Sequence, residues 1–130
     1  NYSVHIESDA DLLGAVRYSR MIGSLPDFAW AQAVEAKKLL AGFSSPAGST
    51  SKLSIVNSNS EATVVLLNGR GFPVPANSSV VVSLDGGSQF LVKSQMPVSI
   101  SQVIDIKGGL AVTPVIDYQS IGGKLKVIVR

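Results

Sequence analysis

His5 is the single histidine of the chain, so a Ser-His-Asp triad or a multi-histidine metal site would have to be built on it. It lies on Tyr2–Ser8, where Tyr2, Val4 and Ile6 alternate onto one face and His5 takes the other. No nucleophile motif accompanies it, and an exposed strand position is the plain reading. Ser49-Thr50-Ser51-Lys52 matches the S-x-x-K pattern of penicillin-recognising enzymes, in which the serine opens a helix and the lysine helps to activate it. Here Lys52 leads into the strand-like Leu53-Ser54-Ile55-Val56 and no Lys-Thr-Gly follows. Glu7, Asp9 and Asp11 alternate at a strand–turn junction and offer oxygen ligands of the kind calcium takes. A hard cation wants six or more oxygens, so three carboxylates read as a solvated turn. Gly69-Arg70-Gly71 lacks the spacing of a phosphate loop and reads as a hairpin tip. Asn77-Ser78-Ser79 satisfies the glycosylation pattern, which has meaning only in a eukaryotic secretory route. Arg17-Tyr18-Ser19-Arg20 with Trp30 is the one aromatic-plus-basic group. Aromatic and arginine side chains anchor protein interfaces and stack on sugars, which makes Tyr18, Arg20 and Trp30 the ligand-binding candidates. The competing reading is that Trp30 belongs to a sandwich core.

These residues must be positioned by a chain of 130 residues, the length of one domain. Charged residues make up 15% of it and hydrophobic residues 45%, which excludes disorder as the main state. Net charge is +2, and the seven lysines are scattered with no run longer than two. Nucleic-acid binding needs a clustered basic face, so that class is excluded. The longest apolar runs, such as Val64–Leu67 and Val80–Val82, fall far short of the roughly 20 residues that span a bilayer. The absence of cysteine removes disulfides, thiol nucleophiles and cysteine metal sites. The chain begins at Asn1 rather than Met, so a processed product or a fragment is expected.

Valine and isoleucine supply 26 residues, serine 19 and glycine 12, a composition of short strands and small-residue turns. Strands are expected at Tyr2–Ser8, Leu12–Tyr18, Lys52–Asn57, Ala62–Leu67, Ser78–Leu84, Gln89–Ser94, around Val98–Ile106, at Leu110–Ile116 and at Lys124–Arg130. Ser58–Glu61 and Asp85-Gly86-Gly87 read as hairpin turns. Pro73 and Pro75 cannot donate to a ladder, so their segment reads as a sheet edge or a crossing between sheets. Periodic βαβ units are absent. The expected fold is an all-β, immunoglobulin-like antiparallel sandwich.

Asp27–Ala41 resists that pattern. It follows Pro26, starts with Asp, is rich in helix formers and ends at Gly42. Yet Ala29, Ala31, Ala33 and Trp30, Gln32, Val34 also fit the two sides of a strand. A weak internal repeat bears on the choice: Val4–Ser8 aligns with Phe90–Ser94, and Phe28–Ala31 with Leu110–Thr113. It favours a strand at Phe28–Ala33 and leaves a short helix at 34–41. It also suggests one β-sandwich domain over 1–130, in which 1–34 carries the terminal strands of a preceding related unit and 51–130 is the main unit.

Ile6–Arg20 with Asp27–Ala31, and Leu53–Asn57 with Val74–Leu84 and Val92–Val98, resemble an uncharacterised family of large exported actinobacterial envelope proteins built of tandem immunoglobulin-like β units. The chain departs from that pattern at Val34–Phe43, which is more helix-like and richer in lysine. The resemblance implies an extracellular or cell-envelope location and brings no catalytic residue with it. The expected function is a non-catalytic structural or protein-interaction module, the membrane-distal part of an exported bacterial envelope protein. The alternative is a glycan-binding module of the envelope. The expected partner is an envelope protein or cell-wall glycan. No catalytic residue, metal or cofactor is assigned.

Overall fold

A computed structural model of the chain describes residues 4, 6, 8–10, 14–106 and 108–116. Among the described residues ten strands run in chain order: β1 Ala15–Ile22, β2 Leu25–Gln32, β3 Leu40–Ser44, β4 Thr50–Asn57, β5 Thr63–Leu67, β6 Arg70–Val74, β7 Ser78–Leu84, β8 Gln89–Ser94, β9 Ser99–Ile106 and β10 Gly109–Pro114. They form two antiparallel four-stranded sheets, β10-β9-β4-β7 and β3-β8-β5-β6, and a separate ribbon, β1-β2. The chain is thus an all-β antiparallel sandwich, consistent with the immunoglobulin-like arrangement expected of it.

Alternation along each strand builds the core. In β4 the side chains of Ser51, Leu53, Ile55 and Asn57 are buried, while those between them are exposed or half-buried. In β5 Thr63, Val65 and Leu67 point inward and Val64 and Leu66 outward. A period of two is what a strand with one covered face requires. Leu53, Ile55, Leu84 and Ile100 from one sheet meet Ala41, Val65, Val74 and Val92 from the other, with Leu39, Val98 and Val115 completing the layer. Phe43 and Phe90, directly opposed on β3 and β8, stack with ring centroids 5.5 Å apart.

The connections are where the sequence expectations need correction. Ser58–Glu61 and Asp85-Gly86-Gly87 do not close hairpins. β4 and β5 lie in different sheets, as do β7 and β8, so both segments carry the chain across the sandwich. The hairpins are instead β1-β2, β5-β6 and β9-β10. Gly69-Arg70-Gly71 does stand at a hairpin tip. Leu67 pairs with Arg70 across Asn68-Gly69, both with positive φ (48° and 80°), the conformation a two-residue hairpin loop demands. Pro73 lies in β6, a sheet edge, and Pro75 opens the crossing to β7.

The expected helix at 34–41 is absent. Lys37 exchanges two backbone hydrogen bonds with Val98 (3.1 and 3.0 Å). The Leu39 amide donates to the Ser94 hydroxyl (3.0 Å), and Leu39 O accepts from the Ser94 amide (2.8 Å). Leu40–Ser44 then pairs with β8. Leu39 and Ala41 are buried while Leu40 is exposed, an alternation no helix would produce. Helix propensity is a weak preference, and pairing with β8 overrides it. At 2–8, residues 4, 6 and 8 are described and none is in a strand; the expected strand at 124–130 lies outside the described residues.

Three of the crossings gather at one end of the sandwich around the fully buried Asn57. Its Nδ2 donates to Glu61 O (2.8 Å), Val74 O (3.2 Å) and Pro75 O (3.0 Å). Its Oδ1 accepts from the Asn59 amide (3.0 Å) and Asn59 Nδ2 (2.6 Å), and Asn59 Nδ2 also donates to Pro97 O (2.7 Å). At the other end, β3–β4 and β7–β8 cross side by side. The Ser45 amide donates to Ser88 O (2.9 Å) and the Gly87 amide to Ser45 O (2.8 Å). A Cβ at Gly86 would lie 2.9 Å from Ser49 O.

Asn57→Ala leaves several buried carbonyls unanswered and is expected to lower stability by about 3 kcal/mol or more, read from urea unfolding followed by circular dichroism. Gly86→Ala is expected to cost about 1–3 kcal/mol in the same assay, because backbone rather than a flexible side chain must yield. Unchanged unfolding midpoints would refute both assignments.

Candidate functional site

The residues singled out for binding lie on the β1-β2 ribbon, and its register decides which of them can act together. Tyr18 stands opposite Ala29 and Arg20 opposite Asp27, while Trp30 stands opposite Arg17. Directly opposed residues share a face and successive residues alternate. Val16, Tyr18, Arg20, Asp27, Ala29 and Ala31 therefore occupy one face, and Arg17, Ser19, Met21, Pro26, Phe28 and Trp30 the other. Tyr18, Arg20 and Trp30 do not converge.

The Arg20 face is turned to the sandwich. β2 lies against β10, and Ala29 is buried, its small side chain permitting the close approach. Arg20 ties the layers together. Its Nη1 donates to Asp105 on β9, its Nη2 to Gly109 O (3.1 Å) and its Nε to Asp27 Oδ2 (3.4 Å). The hydrogen bond to Asp105 raises the guanidinium above its ordinary pKa, with further help from the charges of Asp105 and Asp27 outweighing desolvation. All three of its nitrogens are engaged within the chain, which makes Arg20 a latch for the ribbon rather than a free ligand group. Beside it, Tyr18, Thr50, Lys52, Val103, Asp105 and Leu110 border a cleft of about 260 Å³.

The opposite face looks outward and is apolar. Met21 (64%), Phe28 (57%) and Trp30 (60%) are exposed on it, while Leu25, at the tip on the Arg20 side, is exposed as well. Trp30 is thus not core. Three large apolar side chains on one face of a small ribbon, with Arg17 directly across from Trp30, form a surface of the kind that protein or sugar partners cover. Sequence reasoning missed Met21 and Phe28 because membership of this face follows from the pairing register, and the lone signal available was the even spacing of Phe28 and Trp30.

The other candidates are dispersed. Ser49 is part of a hydroxyl chain with Ser45 (3.4 Å) and Ser51 (3.2 Å) and donates to Pro46 O (2.7 Å). Ser51 points into the sandwich, whereas Lys52, the next residue of β4, points out toward the ribbon. The S-x-x-K spacing therefore does not bring a lysine to a serine here. Asp9 is exposed; His5, Glu7 and Asp11 lie outside the described residues. Asn77 is exposed in a turn with φ 47°, its amide donating to Asn59 O (3.1 Å).

The fold and this surface define a β-sandwich with a docked hairpin ribbon. No protein-family model, curated protein or solved structure matches the chain.

Arg20→Gln is expected to loosen the ribbon while the sandwich stays folded. Limited proteolysis should then cut near Gly23-Ser24 faster than in the parent chain, with the thermal transition of the sheets retained; equal cutting rates would refute the latch.

Proposed function

We propose that this chain is a non-catalytic structural or protein-interaction module of an exported bacterial envelope protein, placed outside the cell or in its envelope. The single observation that carries the reading is the outward apolar face of the β1-β2 ribbon, held in place by Arg20 on its other side. Burying Met21, Phe28 and Trp30 against a partner would recover the free energy that their exposure forgoes, at about 25 cal/mol per Å² of apolar surface. The dispersal of Ser49 and Lys52 supports the non-catalytic part. The envelope setting and the immunoglobulin-like character of the sandwich rest on the resemblance described above. So does the view that 1–34 ends a preceding unit, with 51–130 as the main one.

A glycan-binding module is the second reading, favoured by the exposure of Trp30, whose ring is free to stack on a sugar. Arg17, not Arg20, is then its polar companion.

The Phe28→Ser/Trp30→Ser double variant is expected to bind isolated bacterial envelopes at least tenfold more weakly than the parent, with its thermal midpoint nearly unchanged. Protease treatment of the envelopes should abolish binding of the parent; binding that survives it selects the glycan reading. Equal binding by variant and parent would remove the ribbon face from both. The single tryptophan offers an independent check: its emission should be red-shifted and readily quenched by acrylamide.

A further inference from the structure

The two outer faces of the sandwich differ in kind. The β10-β9-β4-β7 sheet mixes Lys52, Ser83 and Asp105 with Val81, Val103 and Leu110, and the ribbon lies against it through β2 and Arg20. The β3-β8-β5-β6 sheet presents Leu40, Val64, Leu66, Pro73 and Leu91 instead, with Val64 and Leu91 about half exposed. Lys93 stands among them, opposite Leu40 on β3 and Leu66 on β5. Val64, Leu66, Pro73, Lys93, Gln95 and Met96 border an open trough of about 450 Å³. A Cβ at Gly71, opposite Leu66, would crowd Val64, 3.2 Å from its Cγ1.

Charge selects what the trough accepts. The four strands of this sheet contain no aspartate or glutamate. Their two cations are Arg70, which lies over the Phe72 ring (5.3 Å to the centroid), and Lys93. A cation in an apolar surface with no acid in its own sheet is complementary to a carboxylate on the partner. A second copy meeting this face through a two-fold axis near Lys93 would set Lys93 against Lys93, and through an axis elsewhere would find no acid in these strands to pair with it, which argues against self-association. A fatty acid would leave most of its chain in water in so open a trough. An extended polypeptide segment spans it and presents alternate side chains to it.

We infer that this trough docks an extended protein segment of apolar residues around one aspartate or glutamate, with the carboxylate paired to Lys93. The inference rests on the protein-interaction reading but names a surface separate from the ribbon. The probe is a randomised 12-residue peptide library displayed on phage and selected on the full chain. The recovered peptides are expected to carry one acidic residue flanked by valine, isoleucine, leucine or phenylalanine. They should bind Lys93→Glu and Leu66→Ser at least tenfold more weakly, and Trp30→Ser as tightly as the parent. Replacing their acid by the amide should weaken them to the same degree. Each variant substitutes an exposed side chain, and its thermal midpoint checks its folding. Recovery of no binders, binders without acidic enrichment, equal binding to Lys93→Glu, displacement by decanoate, or concentration-dependent dimerisation lost in Lys93→Glu would each overturn it. Loss of binding to Trp30→Ser alone would place the peptides on the ribbon and also overturn it. Failure of the ribbon variant to change envelope binding leaves these outcomes intact, so the two readings fail separately.

Discussion

Three crossings bring carbonyl groups to one end of an apolar core; the amide of Asn57 answers those of two, and Asn59, held by Asn57, answers Pro97 O of the third. An unpaired polar side chain at that depth would cost several kcal/mol, and a hydrophobic replacement would leave the loop carbonyls without donors. Asn57 makes hydrogen bonds through both ends of its amide, to residues as near in sequence as Asn59 and as distant as Pro75. It also fixes register. A slip of β4 by one residue would turn Asn57, Ile55 and Leu53 outward together, losing the core and the amide network in one step. The two sheets therefore hold their relative positions, and the outer faces are presented by a frame that does not readjust.

The strands at 78–84 and 89–94 were legible to the residue, because valines and leucines alternate there with polar or exposed positions. Their pairing was not. Asp85-Gly86-Gly87 has the composition of a hairpin turn, and a crossing between sheets uses the same small, permissive residues; only the burial of residues distant in sequence tells one from the other. The segment at 34–41 misled for a related reason. Its helix formers describe a local preference, while the hydrogen bonds of Lys37 and Leu39 are made with Val98 and Ser94, far along the chain. The binding candidates show the same limit. That Tyr18 and Arg20 share a face follows from spacing alone, but placing Trp30 on the other face requires the length of the turn between β1 and β2, which composition does not reveal.

The two sides of the ribbon are built differently. Toward the sandwich, small Ala29 and Ala31 admit close contact and Arg20 supplies direction through Asp105 and Gly109. Away from it, large side chains remain uncovered. Isolated two-stranded hairpins are marginal in water, so the ribbon depends on the sheet beneath it for its order. A surface built this way is positioned by the fold yet is not part of its core, which allows its side chains to be chosen for recognition rather than for packing.

The five crossings have a kinetic consequence. Outside the three hairpins, strands find their neighbours far along the chain: β3 pairs with β8, β4 with β9, β5 with β8. A nascent chain that has delivered β3 to β7 can zip β5 onto β6 and lay β7 beside β4, but its second sheet lacks the strand that stands between β3 and β5. High contact order of this kind places folding among the slow β-sandwiches: β8 closes one layer, and the other waits for β9 and β10.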